Sequence, residues 1–369
     1  MRVADVTPRT LLGPGPSDTP ARVLAAMARP TIGYLDPQLL ALLDDIQDML
    51  RAVFRTRNEV TFAVSGTGMA GMETCLANLL EPGDRLLVGV AGYFGERLVQ
   101  VAQRIGAEVY TVQVPWGQVF TADLMQEALK EHSPVKLVAI VNGETSTGAW
   151  QPIPEIAAVA HAAGALLLVD AVTTLGGVPV LVDEWGIDAC YSGSQKCLSC
   201  PPGLSPVTVG PAARAAMAQR KRPVQSFYLD LDLLSRYWGQ QRQYHHTIPV
   251  NMIYALHEAL VLVLEEGLEQ RWARHLEQHH MLKAGIEALG LRFTADPAHL
   301  LPSLNVVAAP EGVDEAVVRR QLLDRYNIEI GGGLGSLRGK AWRIGLMGES
   351  ARPEKVDRLL SALKTILEG

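Results

Sequence analysis

Cysteine is scarce in this chain of 369 residues, which has only four: Cys75, Cys190, Cys197 and Cys200. So few cysteines in a chain of this length cannot form the disulfide framework of a small secreted protein. Cys197 and Cys200 form one CxxC, but it has no second cysteine pair and no nearby histidines, so it is weak evidence for zinc. We therefore expect ordinary reduced thiols and no metal site.

Long apolar runs and basic clusters are missing as well. No segment has the length of a membrane span, and the first residues, MRVADVTPRTLLGPGPS, lack the apolar stretch of a signal peptide. The 33 basic residues are outnumbered by 39 acidic ones, which gives a net charge of −6. This balance argues against nucleic acid or an anionic membrane as a partner. We expect a cytoplasmic protein.

The order of the apolar segments predicts an α/β fold. Seven short β-type runs alternate with helical segments: EVTFAVS (59–65), DRLLVGV (84–90), EVYTVQV (108–114), VKLVAIVNG (135–143), ALLLVD (165–170), DACYSGS (188–194) and SPVTVG (205–210). Runs such as ALLLVD do not alternate between apolar and polar residues, which is typical of strands covered on both faces. We predict a mostly parallel seven-stranded sheet flanked by helices.

The length of the chain predicts more than one domain, because a single hydrophobic core stops growing well below 369 residues. From about residue 256 the sequence changes to long helical stretches, followed by short strands and a last helix. We predict an extended N-terminal segment (1–18), a large domain (19–260) and a smaller α+β C-terminal domain (261–369). Ligands of such sheets bind beyond the carboxyl ends of the strands.

A glycine-rich turn, GTGMAG (66–71), follows the first β-type run and opens a helix. Backbone N–H groups at a helix N-terminus bind phosphate well. An NAD-dependent dehydrogenase would also need an acidic residue at the end of the next strand, but that strand runs into AGYF (91–94). The turn therefore favours a phosphate over a dinucleotide, and a glycine turn without any ligand stays an alternative.

Two ionisable residues also follow β-type runs. Asp170 ends ALLLVD, where a desolvated carboxylate stays ionised only if a cation or strong donor faces it; a helix N-cap is the alternative. Lys196 has no charged neighbour, and a desolvated lysine can form a Schiff base, although a structural lysine explains it too. Together with the phosphate turn, these residues match pyridoxal 5'-phosphate (PLP), which has a phosphate, a ring nitrogen and an aldehyde.

Seven motifs follow one another along the chain: LLGPGPS (11–17), SGTGM (65–69), ETSTG (144–148), VDAVTTLGG (169–177), YSGSQKCLSCPPG (191–203), YHHTIPVN (244–251) and WRIGLMG (342–348). In this order they resemble the class V aminotransferases, and most closely the alanine–glyoxylate and serine–pyruvate (serine–glyoxylate) group. The resemblance covers almost the whole chain. It implies PLP fold type I and a transaminase that uses PLP.

The resemblance also implies roles around the cofactor ring. Lys196 would hold PLP as a Schiff base, and Asp170 would keep the pyridine nitrogen protonated. Val172 and Phe94 would pack on the two ring faces, with Phe94 standing where the family often has tryptophan. Thr145 would offer its hydroxyl to the ring oxygen.

Further residues are implied at the phosphate. Those of the same subunit are Thr67, Gly68, the Met69 amide and the Gln195 side chain. Tyr244 and Thr247 would reach the phosphate of the neighbouring subunit, so the resemblance implies a homodimer.

On the substrate side, the resemblance implies that Arg343 binds the α-carboxylate in a bidentate manner; a surface ion pair is the alternative. The backbone there would come from Gly13, Pro14 and Gly15. Tyr34 departs from the histidine that the family often has, so no role is carried over to it. We expect a mobile loop without chemistry over residues 331–339.

The implied reaction is a ping-pong transamination in which alanine or serine gives its amino group to glyoxylate or pyruvate. Lys196 would move the proton as base and then as acid. We see no second anchor for an acidic side chain. The alternative among PLP enzymes is 2-aminoethylphosphonate–pyruvate transaminase, whereas a cysteine desulfurase is disfavoured because residues 331–340 contain no cysteine. A non-catalytic protein on this fold would be expected to lack Lys196, Asp170 or Arg343.

Overall fold

The computed structural model of the chain describes residues 2–368. Its helices are α1 (Ala21–Met27), α2 (Pro37–Phe54), α3 (Gly68–Leu79), α4 (Tyr93–Ile105), α5 (Ala122–Glu131), α6 (Pro154–Ala162), α7 (Pro211–Ala218), α8 (Leu231–Trp238), α9 (Val250–Glu266), α10 (Leu268–Ala288), α11 (Glu315–Tyr326) and α12 (Pro353–Glu368). Its strands are β1 (Thr10–Leu11), β2 (Val60–Ser65), β3 (Arg85–Val90), β4 (Glu108–Gln113), β5 (Leu137–Val141), β6 (Gly143–Glu144), β7 (Ala149–Trp150), β8 (Leu166–Asp170), β9 (Ala189–Tyr191), β10 (Leu204–Val209), β11 (Arg292–Phe293), β12 (Leu304–Ala308), β13 (Ile328–Glu329), β14 (Gly331–Gly332) and β15 (Ala341–Gly345).

Seven strands form the main sheet in the order β2–β10–β9–β8–β5–β3–β4. From β9 to β4 every neighbouring pair is parallel, whereas β10 is antiparallel to both β9 and β2. These strands correspond to the seven apolar runs of the sequence, so the predicted mostly parallel sheet is confirmed. The register places the carboxyl ends of β2, β5, β8 and β9 at one edge.

The central strands are apolar because helices cover both faces of the sheet. Strands β2, β5 and β10 are buried along their whole length. Helices α2 and α8 pack near β2, α3 near β9 and β10, α4 near β3, and α6 near β8. The resulting core extends from Val23 to Leu268. Within residues 2–368, no helix is long and apolar enough to cross a membrane.

A second core lies in the C-terminal part of the chain. Strands β11, β12, β15 and β14 form an antiparallel sheet, and α10, α11 and α12 pack together beside it. Trp342 is fully buried there, and its indole N–H donates to the Glu315 carbonyl at 3.1 Å. Leu12 belongs to the same core, because β1 pairs in parallel with β13. The N-terminal segment therefore packs against the C-terminal sheet.

The helical stretch that the sequence shows after residue 256 is divided at Gly267. Its φ of 82° lies in the left-handed region that favours glycine, and it separates α9 from α10. The domain boundary expected between residues 260 and 261 falls inside α9, and Val263 and Leu268 still belong to the first core. The division of the chain into domains stays a prediction.

Candidate active site

Residues that can carry chemistry gather at the edge where β2, β5, β8 and β9 end. Asp170 is the last residue of β8, and Tyr191 is the last residue of β9. Ser65 ends β2 and leads into the turn before α3, and Glu144 follows β5. This is the edge at which a doubly wound sheet binds ligands.

Asp170 is almost fully buried, with 4% of its surface exposed. Its Oδ1 accepts the backbone N–H of Val172 at 2.8 Å, and its Oδ2 accepts the Tyr191 hydroxyl at 2.7 Å. Burial raises the pKa of Asp170 to about 6, although both hydrogen bonds and the charge of Lys196 oppose this rise. A buried carboxylate with donors but no cation in contact favours a positively charged partner.

Lys196 is fixed through its backbone as well as its amine. The Ser17 hydroxyl donates to the Lys196 carbonyl at 2.8 Å, and the Lys196 amine donates to the Pro14 carbonyl. Gly15 leaves room for the side chain, since a Cβ at that position would lie 2.6 Å from Nζ. The pKa of Lys196 is lowered to about 8, mainly by burial and to a smaller extent by the positive charge of Arg343. A sizeable fraction of the amine is therefore neutral at physiological pH.

The N-terminus of α3 presents donors without acceptors. Thr67 is the N-cap residue, but its side chain makes no capping hydrogen bond. Within residues 2–368 the backbone N–H groups of Gly68 and Met69 have no partner. Gly68 also allows close packing, because a Cβ there would lie 3.2 Å from the Val172 side chain. This end of α3 is suited to an anion.

Gln195 supplies a polar atom that has no partner. Its Oε1 is buried and forms no hydrogen bond among the described residues. A Cβ on Gly193 would lie 2.8 Å from this oxygen, so the amide is confined. Turning the amide over presents its NH₂ group to a ligand instead, and the two orientations differ only in hydrogen bonding.

Arg343 lies in the middle of β15, between β12 and β14. Its Nε donates to the Gly332 carbonyl at 2.7 Å, and its two terminal amino groups have no partner within residues 2–368. Burial lowers the pKa of Arg343 to about 10, and the charge of Glu144 opposes this. The stretch 331–339, expected to be a mobile loop without chemistry, begins with the two residues of β14, and the Gly332 carbonyl orients the arginine.

Glu144 is a buried acid at this edge that the sequence analysis did not single out. It is 2% exposed, and its carboxylate accepts the backbone N–H groups of Phe94 at 3.2 Å and Gly95 at 3.3 Å. The Ser146 hydroxyl donates to it at 2.7 Å. Glu144 thereby caps α4, whose own N-cap is the glycine Gly92. The rule that singled out Asp170, an acid following a buried parallel strand, would have identified Glu144 too.

The remaining predicted residues differ in how closely they approach this edge. Phe94 is half-buried at the start of α4, and Thr145 is buried beside Glu144 with its hydroxyl unbonded among the described residues. Tyr244 and Thr247 are exposed and make no side-chain hydrogen bond within the described part of the subunit. Tyr244 packs against Tyr34, with ring centroids 4.9 Å apart.

The backbone of Gly13, Pro14 and Gly15 lies where the main-sheet part of the site meets the C-terminal sheet. A Cβ on Gly345 would lie 2.0 Å from the Gly13 carbonyl oxygen, and one on Gly331 would lie 2.6 Å from the Pro14 ring. The Pro14 carbonyl also accepts the Lys196 amine. The segment predicted for the substrate side thus lies between Lys196 and the strand of Arg343.

These donors and acceptors fit PLP. The free N–H groups of α3 and the Gln195 amide suit its phosphate, the buried Asp170 suits a protonated ring nitrogen, and Lys196 suits an aldehyde. Within the described range, no three or more His, Cys, Asp or Glu side chains group together as potential metal ligands.

Comparison with known proteins identifies the family. The profile of the family Aminotransferase class-V matches residues 11–352. The chain belongs to the class-V aminotransferases. It is 43% identical over 364 residues to the alanine–glyoxylate aminotransferase of Rattus norvegicus, covering 98% of this chain and 88% of the relative. It is 41% identical over 377 residues to the (S)-ureidoglycine–glyoxylate transaminase of Bacillus subtilis, covering 97% and 90%.

Solved structures agree with this identification. The crystal structure of an alanine–glyoxylate aminotransferase from Nostoc sp. superposes with a TM-score of 0.98 and 49% sequence identity, covering 100% of this chain and 97% of that one. The fold is PLP fold type I, and the protein is a PLP-dependent transaminase. The family assignment replaces the alternative of an NAD-dependent dehydrogenase, which the glycine-rich turn had raised. The roles of individual residues stay predictions.

The pKa of Lys196 predicts how the cofactor-free enzyme captures PLP. Only the neutral amine attacks the aldehyde, so the capture rate should rise with pH and level off with a midpoint at about 8. Arg343→Gln should move the midpoint upward, because it removes a positive charge that disfavours the protonated lysine. Stopped-flow absorbance of the bound cofactor measures the rate.

Arg319→Gln is the matched control, because Arg319 neighbours Arg343 but does not contribute to the lowered pKa of Lys196. A wild-type midpoint near that of free lysine, about 10.4, would show that Lys196 is not desolvated in this way.

Proposed function

We propose that the enzyme transfers the amino group of a small amino acid, alanine or serine, to glyoxylate or pyruvate. The observation that carries the proposal is the pair of unpartnered terminal amino groups of Arg343, whose charge acts on the partly neutral amine of Lys196. A guanidinium with both terminal amino groups available binds a carboxylate in a bidentate manner. Such a site anchors the one group that all amino and keto acid substrates share.

The neighbouring charges support small substrates rather than acidic ones. Arg319 is paired with Glu315 at 2.6 Å, and Arg97 donates to the Tyr93 hydroxyl at 2.7 Å. The charge of Arg319 is therefore already offset by a carboxylate, and Arg97 is held by a neutral hydroxyl. The negative charge of Glu144, which acts on Arg343, would repel an acidic side chain.

The proposed cofactor contacts follow from the groups without partners. The phosphate would be held by Thr67, Gly68, the Met69 amide and the Gln195 side chain. Asp170 would face the ring nitrogen, Thr145 the ring oxygen, and Val172 and Phe94 the two ring faces. When bound, PLP withdraws electrons from the substrate carbon and so makes its proton acidic.

Lys196 would carry the proton within the site. Its amine donates to the Pro14 carbonyl, and its lowered pKa would let it accept a proton from the substrate carbon. The same amine would then give the proton back to complete the transfer. Because the amino group is handed over in two half-reactions, ping-pong kinetics are expected.

Glyoxylate is the better supported acceptor, because both relatives described above carry it in their names. The donor is less constrained, since one relative is named for alanine and another of similar identity for (S)-ureidoglycine. Ureidoglycine therefore stands as a second candidate donor. It is also a small amino acid with one carboxylate, so the Arg343 anchor accommodates it equally.

A homodimer with shared sites completes the proposal. Tyr244 and Thr247 are exposed in the subunit and have no side-chain hydrogen bond within its described residues. Exposed tyrosines are typical of subunit interfaces. We infer that both side chains reach the phosphate of the neighbouring subunit. The cytoplasmic location, expected from the sequence, stays a prediction.

A donor titration of the PLP-loaded enzyme tests the function. Alanine, serine, ureidoglycine, 2-aminoethylphosphonate and aspartate are added separately, and loss of the visible cofactor band is followed. Bleaching by alanine or serine is expected, whereas bleaching by the phosphonate alone would contradict the proposal. Arg343→Lys should weaken donor binding by about 10–100-fold through loss of the bidentate contact, and Arg319→Lys is the charge-matched control.

Complementation tests the shared site. Lys196→Ala and the double variant Tyr244→Phe/Thr247→Val are each expected to be impaired. When the two variants are co-expressed and pair at random, about half of the dimers are mixed, and one of the two sites in each mixed dimer has all its groups. The population should therefore regain about a quarter of the wild-type sites. Pairing Lys196→Ala with Arg343→Gln, which lie in the same site, should restore nothing. Equal outcomes for the two pairings would contradict sharing.

A further inference from the structure

Tyr191 has no role so far, yet its hydroxyl lies against Asp170. It is the last residue of β9 and is fully buried. The parallel register pairs it with Asp170 on β8, so both side chains leave the sheet on the same face. The hydroxyl donates to Oδ2 of Asp170 at 2.7 Å.

The direction of this hydrogen bond is fixed by the surroundings. Burial raises the pKa of Tyr191 well above its usual value, and the negative charge of Asp170 raises it further. The phenol therefore keeps its proton wherever the enzyme is folded and active. It can only act on Asp170 as a donor, and a donor to a carboxylate favours the ionised form.

Asp170 needs this support because burial favours the protonated, neutral form of its carboxyl group. Burial raises its pKa to about 6, and the Tyr191 hydroxyl is the largest contribution that opposes the rise, ahead of the Val172 N–H and the charge of Lys196. Without the hydroxyl, the carboxyl group would be protonated over more of the neutral range. A neutral acid cannot stabilise a protonated ring nitrogen by charge.

The other titratable groups that face Asp170 cannot replace the hydroxyl. Cys75 on α3 and Cys190 on β9 are fully buried, and burial raises the pKa of both thiols, so they stay neutral. Lys196 acts on Asp170 by charge alone, and that charge is lost whenever its nitrogen becomes neutral. Tyr191 is a constant donor.

We propose that Tyr191 is a positioning residue of the transaminase: its hydroxyl keeps the Asp170 carboxylate ionised and aimed at the ring nitrogen of PLP. This rests on the proposed placement of Asp170 at that nitrogen. The carboxylate is then fixed on both sides, by Tyr191 at Oδ2 and by the Val172 N–H at Oδ1. Each oxygen keeps a second lone pair for the cofactor.

Tyr191→Phe in the PLP-loaded enzyme tests the inference, because it removes one hydroxyl and keeps the ring. The readout is the pH midpoint of the visible cofactor band, without any amino donor. A protonated ring nitrogen repels the proton on the bond between Lys196 and PLP, so losing it should raise this midpoint by about one unit. The dissociation constant of PLP should rise about tenfold, as for a lost hydrogen bond to a charged group.

Tyr237→Phe is the matched control. Tyr237 is also fully buried, and its hydroxyl donates to the Tyr34 carbonyl at 2.8 Å rather than to Asp170. It therefore reproduces the loss of a buried phenol hydroxyl without touching the carboxylate. An equal shift of the midpoint in both variants, or none in Tyr191→Phe, would overturn the inference.

A second pair of variants tests whether Tyr191 acts through Asp170. Asp170→Asn has no carboxylate for the hydroxyl to support, so adding Tyr191→Phe to it should leave the midpoint where Asp170→Asn places it. A further shift of the same size would show that Tyr191 acts by another route. Because no donor is used, failure here is separable from failure of the proposed function, which would appear as a wild-type enzyme that alanine and serine do not bleach.

Discussion

The site depends on a buried amine and a buried carboxylate that are kept apart. Asp170 and Lys196 carry opposite charges when ionised, yet the oxygens of Asp170 accept from Tyr191 and Val172, and the Lys196 amine donates to Pro14. Burial therefore raises the pKa of the acid and lowers that of the lysine, instead of being offset by an ion pair. Both residues keep the capacity to bind a cofactor between them.

The two cores of the chain cooperate in this arrangement. The main sheet supplies Asp170 and the segment with Lys196, whereas β15 of the C-terminal sheet supplies Arg343. The segment from Gly13 to Ser17 connects them, since it packs on the strand of Arg343 and bonds to Lys196 at both its amine and its carbonyl. The proposed substrate anchor, Arg343, and the proposed proton carrier, Lys196, are thus linked through backbone contacts.

Sequence reasoning succeeded where a residue's surroundings could be read locally. Unbroken apolar runs identified the seven strands, and two local features, the isolation of Lys196 and the strand-end position of Asp170, singled out these residues. It failed where the role depends on register or on distant contacts. The Tyr191 hydroxyl meets Asp170 only because β8 and β9 pair in one register, and Gly332 holds Arg343 only because β14 and β15 are neighbours. The break at Gly267 was also missed, because helical periodicity continues on both sides of it.

The most direct test of this account is reduction of the PLP-loaded enzyme with borohydride, followed by mass mapping of its peptides. Reduction fixes the cofactor to the lysine that holds it. The account predicts a single pyridoxyl modification at Lys196, absent from Lys196→Ala. A pyridoxyl modification at another lysine would contradict the account. So would the absence of any modification in an enzyme that has bound one PLP per subunit.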